Sequence, residues 1–197
     1  MLSDLNGLAG AVLSLLRDEA PDMGHVRRVG FGTKPLEWPI LSEIALTYGC
    51  QARCRFCYAN SPDRETSVPR MSPDEVDLVI DRISGEAYCP SISFTGGEPT
   101  LVKDLPRHIR HAKSRGMRVN LITNGIRCAE PGFAETLAEA GLDSAQVSLE
   151  AGSAEVHDDI VGRPGAFEAT VEGVRALRRA GPRTPPPPPP STRAGSP

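Results

Sequence analysis

The sequence predicts an α/β fold built on a parallel sheet, and three observations carry that prediction. Strand-like runs alternate with amphipathic helical runs four times between residues 40 and 181. Glycine stops three of the helical runs, at Gly116, Gly141 and Gly181. The chemically distinctive residues, a cysteine cluster, "TGGEP", "TNG" and "SLE", each fall at or just past the carboxyl end of a strand-like run. Right-handed crossovers between parallel strands bring those ends to one edge, where both barrels and open α/β sheets build their sites. Alternation alone does not separate a doubly wound sheet from a complete or partial barrel.

Each element has its own signal. Leu5, Leu8, Val12, Leu15 and Leu16 share one face at helical spacing, which predicts a helix to about Glu19 in a lead-in spanning residues 1–39. Gly30, Gly32, Pro35 and Pro39 break that pattern before "ILSEIALT", the first strand. "MSPDEVDLVIDRIS" opens a helix in which Ser72 caps, Pro73 suits the first position and Glu75 completes a capping box. Val76, Val79, Ile80 and Ile83 then form its sheet-facing stripe.

"SISFTGG" is the second strand, "LPRHIRHAKSRG" the second of these helices, "MRVNLITNG" the third strand and "FAETLAEAG" the next helix. "SAQVSLE" is the fourth strand, with a loop carrying His157 after it. "AFEATVEGVRALRRAG" closes the series, with Phe167, Val171, Val174 and Leu177 expected on its inner side. Residues 182–197 then change character, and the six prolines from Pro185 to Pro190 suit a polyproline II segment, as a spacer or disordered tail or as a ligand for a proline-binding module. A fifth strand is expected there and none arrives, so the sequence suggests truncation or a shifted reading frame from about Pro182.

At 197 residues the chain suits one domain with a real core, residues 40–181, rather than two. A net charge of -3 gives no basic footprint for nucleic acid. No apolar run approaches the roughly 20 residues of a membrane span, and the start "MLSD" lacks the cationic and apolar regions of a leader. The expected setting is therefore soluble and cytoplasmic, without nucleic-acid or membrane partners.

Of five cysteines, Cys50, Cys54 and Cys57 stand as C-x3-C-x2-C, too close together for a disulfide framework. Clustered thiols of this kind bind zinc or an iron–sulfur cluster. A closed zinc site wants a fourth ligand, for which Cys89, Cys128 or a histidine would have to serve, and none belongs to a second C-x-x-C pair. A [4Fe–4S] cluster held by three thiolates instead leaves one iron open to a small molecule. Phe56 and Tyr58, beside the third cysteine, offer an aromatic shield or simply pack the loop.

Here the residues carry a family resemblance. "CQARCRFCY" looks like the cluster motif of radical S-adenosylmethionine (SAM) enzymes, and "TGGEPTL" resembles the Gly-Gly-Glu-Pro segment that follows their second strand. The likeness continues through "TNG" and "VSLEAGSAEVHDDIVGRPGAF", covering residues 40–181, and is greatest to the branch of molybdenum-cofactor, peptide-modifying and haem-synthesis enzymes.

The resemblance implies a partial (β/α) barrel, commonly of six βα units, of which about four are present. It implies that Cys50, Cys54 and Cys57 hold a [4Fe–4S] cluster whose open iron is chelated by SAM, and that Phe56 lies near the adenine. Gly96 and Gly97 would allow close backbone approach, Glu98 and Pro99 would lie at the methionyl ammonium, and Ser148, Glu150 and Arg163 would contact the ribose or carboxylate. The implied chemistry is reductive cleavage of SAM to a 5'-deoxyadenosyl radical that modifies a peptide or cofactor precursor, with an electron donor such as flavodoxin or ferredoxin. The rival readings are a non-catalytic iron–sulfur or zinc module and an inactive fragment of a longer enzyme.

Overall fold

A computed structural model describes residues 39–61 and 63–181. The expected N-terminal helix and the proline-rich tail lie outside the described residues. The elements run β1 (Ser42–Thr47), α1 (Pro73–Gly85), β2 (Ser91–Gly96), α2 (Leu105–Ser114), β3 (Arg118–Thr123), α3 (Phe133–Ala140), β4 (Ser144–Val147), α4 (Ala154–Val161) and α5 (Ala166–Ala180). Single 3₁₀ turns follow β2 at Pro99–Leu101 and β3 at Ile126–Ala129.

The four strands are all parallel and lie in the order β1-β2-β3-β4. A doubly wound sheet must reverse its direction at a switch point; a sheet that advances one strand at a time keeps its crossover helices on one face and curls as a barrel sector. The order therefore decides for a partial barrel.

Alternation along the strands sorts the two faces. Ile44, Leu46, Ile92, Phe94, Val119 and Leu121 enter the buried core beneath the helices. On the other face Ser93, Asn120 and Ser144 stand in register across three strands. Asn120 Nδ2 donates to Ser93 Oγ at 3.1 Å and Ser144 Oγ donates to Asn120 Oδ1 at 2.8 Å. This row across the inner face is thus polar and satisfied, while the outer face supplies the hydrophobic stabilisation.

α1 begins as its sequence requires: Glu75 N–H donates to Ser72 Oγ at 3.3 Å and Ser72 N–H to Glu75 Oε2 at 2.7 Å. Its outer side is zipped to α2 by two carboxylates one turn apart. Asp77 receives His108 Nδ1 at 2.7 Å and Arg107 Nη2 at 2.7 Å, and Asp81 pairs with His111 Nε2 and Arg115 Nε, both at 2.7 Å. Burial acts to raise the pKa of both carboxyls, but the hydrogen bonds from His108 and Arg107, and from Arg115 and His111, hold them below the ordinary value of 3.8. The unfolded chain therefore binds these protons more tightly than the folded one, so the ladder stabilises fully above about pH 3.8 and is lost as pH falls through the lower folded-state values. Urea unfolding measured at several pH values is expected to show stability dropping below about pH 4, with the drop shallower in Asp77→Asn; an unchanged slope would remove Asp77 from that account.

Three expectations are corrected by the tertiary structure. The fourth strand pairs only through Val147: Ser148 N–H makes the last bond, to Thr123 O at 3.0 Å, and Leu149 and Glu150 run on exposed. The segment holding His157 is helix α4, not a loop, with His157 buried at 2% exposure. α5 turns its small residues inward, Ala166, Thr170, Gly173 and Ala176; of the four expected there, Leu177 packs half-buried against the core, while Phe167, Val171 and Val174 flank the small residues half-buried. The reason is distance: a Cβ on Gly173 would stand 2.1 Å from Gly125 O, so the backbones touch where larger side chains would hold them apart.

Candidate radical SAM site

At the carboxyl edge of the sheet lies a cleft of about 840 Å³, counted to its open mouth. Cys50, Cys54 and Cys57 line one wall, and Thr95, Gly96 and Gly97 at the end of β2 line another. Ser148 and Glu150 stand at the end of β4, and Phe56 and Tyr58 at the rim, 58% and 89% exposed. Cys50, Cys54, Phe56, Cys57, Gly96, Gly97, Ser148 and Glu150, all singled out from sequence, therefore share one cleft although they are scattered over about a hundred positions of the chain.

The cysteine loop is held by the helix that periodicity alone did not reveal. The last turn of a helix leaves carbonyls without partners. Those of Ile160 and Val161 on α4 accept the amides of Arg55 at 3.0 Å and Arg53 at 2.9 Å, the two residues that bracket Cys54. Gly162, at φ 64°, lets Arg53 O come to 2.7 Å from where a Cβ would sit. Arg55 also pairs with Asp159. Arg163 Nη1 donates to Gln51 O at 2.9 Å, which places this arginine behind the loop, outside the cleft lining. Ser153 ahead of "AEVHDDIVG", with Val156 and Ile160 one turn apart and Gly162 as the stop, is the signal that could have found α4.

The loop's own amides turn toward sulfur. Ala52 N–H donates to Cys50 Sγ at 3.4 Å, Ser61 N–H to Cys57 Sγ at 3.3 Å, and Asn124 Nδ2 reaches Cys50 Sγ at 3.9 Å. Burial pushes the Cys50 thiol up, with the charges of Glu98 and Cys57 adding to it. Burial, then the neighbouring Cys50 and Cys57, does the same at Cys54. Crowded thiols of this kind give up their protons when a cation takes them. Among the described residues no three His, Cys, Asp or Glu side chains gather round a single ion-sized point. A [4Fe–4S] cluster would take each of the three thiolates on a different iron, and a zinc site would need a fourth ligand beside them.

Gly96 and Gly97 permit close approach, and the neighbour they admit is the chain itself. A Cβ on Gly96, at φ 131°, would stand 2.2 Å from Thr47 O, and one on Gly97 2.4 Å from Gly49 O. Gly97 N–H donates to Thr47 O at 2.7 Å and Glu98 N–H to Gly49 O at 2.8 Å, which fastens the end of β2 to the strand leading into the cysteines.

Glu98 is 1% exposed and its carboxylate is fully engaged. Oε1 accepts from Thr100 N at 3.1 Å, Thr100 Oγ1 at 2.6 Å and Thr123 Oγ1 at 2.7 Å, and Oε2 accepts from Asn124 N at 2.8 Å. Neither Glu98 nor Pro99 lines the cleft. The side chain ties the ends of β2 and β3 together.

His157 joins the wall without having been expected there. Its Nδ1 accepts Glu150 N–H at 3.1 Å and its ring meets Phe167 edge-on at 5.8 Å, so it fixes where Glu150 leaves the sheet. Cys89 bonds Ser42 and Ser91 O away from the cleft, and Cys128 is buried in the core with its thiol pushed up to about 12 by burial and then by the charge of Glu98.

Both the sequence and the fold have counterparts among known proteins. A probable GTP 3',8-cyclase of Metallosphaera sedula is 36% identical over 139 residues, covering 70% of this chain and 42% of the relative. An AdoMet-dependent heme synthase of Methanosarcina barkeri is 36% identical over 144 residues, covering 72% of this chain and 40% of its own. The chain thus spans about two fifths of the length of the curated relatives it matches. The crystal structure of Streptococcus suis SuiB bound to precursor peptide SuiA superimposes with a TM-score of 0.61 at 17% identity, over 74% of this chain and 32% of that one, a likeness of fold. The radical SAM family model matches residues 44–184, from β1 past the end of α5. The chain accordingly belongs to the radical SAM superfamily, an enzyme family whose cofactors are a [4Fe–4S] cluster and SAM.

Proposed function

We propose that Cys50, Cys54 and Cys57 hold a [4Fe–4S] cluster, that SAM lies in the cleft between them and the ends of β2 and β4, and that the protein modifies a peptide or a cofactor precursor. The observation that carries this is the shared cleft, lined together by Cys50, Cys54, Cys57, the Gly96–Gly97 turn, Ser148 and Glu150. Bound there, the two cofactors together supply one-electron reductive cleavage of the sulfonium, the source of a radical that takes hydrogen from substrate.

The protein's own groups do the positioning. The amides of Ala52 and Ser61 stabilise the thiolates. The close seam between Thr47–Gly49 and Gly96–Gly97 leaves backbone rather than side chain facing the amino-acid end of SAM. Phe56, exposed at the rim, offers its ring to the adenine, and Ser148 and Glu150 offer oxygen acceptors to the ribose hydroxyls. Arg163 acts indirectly, through Gln51 O, by holding the loop. A small cofactor precursor is the favoured substrate class, because the relatives at 36% identity bear the names of a GTP cyclase and a heme synthase, whereas the peptide-bound neighbour shares the fold at 17%. The electron comes from a donor such as flavodoxin or ferredoxin.

The test is anaerobic reconstitution with iron and sulfide, reduction with dithionite and addition of SAM. About four iron and four sulfide per chain and release of 5'-deoxyadenosine are expected. Stoichiometric zinc without iron would replace this reading with a zinc module, and a cluster that never cleaves SAM would replace it with a binding module or an inactive fragment.

A further inference from the structure

We propose that Asn124 is a positioning residue for the cluster, its side-chain NH₂ donating to the Cys50 sulfur and raising the reduction potential. The inference rests on the cluster reading above and goes beyond it. The orientation of the Asn124 amide is dictated by its neighbours. Ile126 N–H points at it from 3.1 Å, and a backbone amide can only donate, so the atom it meets must be Oδ1. The NH₂ group is thereby turned to Cys50 Sγ, 3.9 Å away, at the long end of an N–H···S contact.

A second observation points the same way. Gln51 must also present NH₂ to the Asn124 oxygen, at 3.3 Å, which leaves Gln51 Oε1 buried with no hydrogen-bond partner. An orphaned buried acceptor forfeits its solvation without a return bond. Turning the Gln51 amide over would set two oxygens against each other, or force Asn124 to abandon both Ile126 and the sulfur. The orphan is the consequence of an amide row, Gln51 to Asn124 to Cys50, that runs in one direction and ends at the thiolate.

The backbone beneath it is equally fixed. Asn124 N–H donates to Glu98 Oε2 at 2.8 Å and Asn124 O accepts from Thr170 Oγ1 at 2.9 Å, so the residue is pinned from β2 and from α5. Donors to cluster sulfurs are among the groups that set potential, because they stabilise the more negative, reduced state.

The experiment compares the reconstituted 197-residue chain with Asn124→Asp and Asn124→Ser. Both replacements keep an oxygen for the Ile126 amide and remove the NH₂; only the first adds charge. At a poise where the wild-type cluster is half reduced, both variants are expected to show about a tenfold lower ratio of reduced to oxidised cluster, equivalent to roughly 59 mV in a one-electron couple. Electron–nuclear double resonance of the reduced wild type should also show an exchangeable proton coupling that both variants lack. Equal potentials in wild type and Asn124→Ser, with full cluster content in each, would overturn the proposal while leaving the cluster reading intact. Absence of iron and sulfide from the wild type itself would instead sink the cluster reading.

Discussion

Replacing Cys54 by alanine is expected to bring cluster content and 5'-deoxyadenosine release to background while leaving the fold in place. Of the three cysteines, Cys54 is bracketed by the two amides that α4 holds, so the loop geometry survives loss of the thiol. Its sulfur packs beside Ala52, Val161 and Ala166, a small apolar cluster that loses one atom's contacts. The cost to the metal-free protein is on the order of 1 kcal/mol or less. Two thiolates cannot retain a cluster that three hold with one iron already open. Iron and sulfide analysis beside a urea melt checks both halves: iron bound at the wild-type level would show that Cys54 is not a ligand, and a collapsed melt would mean that the loss of function came from unfolding.

Glu98→Ala should do the reverse, breaking the scaffold first. It would leave buried donors from Thr100, Thr123 and Asn124 without an acceptor where the carboxylate now receives four bonds. Each unsatisfied buried donor costs roughly 1–3 kcal/mol, so a loss of about 3 kcal/mol or more is expected. Glu98→Gln keeps the shape but must set its NH₂ against donors at one end; turned toward Asn124 it loses one bond, turned the other way three. Its expected cost is therefore smaller, about 1–3 kcal/mol. Denaturant midpoints of the metal-free proteins, ranked wild type, Gln, Ala, test this, and equal midpoints would mean that the carboxylate is not structural. Because Asn124 hangs from Glu98 Oε2, Glu98→Ala should also disturb cluster assembly.

These two variants separate what looked alike in the sequence. "CRFC" and "GGEP" both carried the resemblance, and both were expected to meet the cofactors. In the fold, the cysteines and the two glycines line the cleft, while Glu98 and Pro99 stand behind it and join two strand ends. A motif records that residues are needed together; it does not record whether a side chain faces the ligand or faces the strand next door.

The sequence by itself determined the parallel α/β class, the capping box at Ser72, the stops at glycine and the edge at which the site forms, because each rests on local periodicity, a local cap or the handedness of the chain. Tertiary structure decided the rest. Whether the sheet winds one way or two depends on strand order, which no single segment encodes. That α5 buries small residues depends on how near Gly125 lies, and that α4 exists as the anchor of the cysteine loop depends on partners a hundred residues away. The engagement of Glu98 and the direction of the Asn124 amide are likewise set by donors from other strands, since hydrogen bonds and steric contacts are made in space and local sequence signals reach only along the chain.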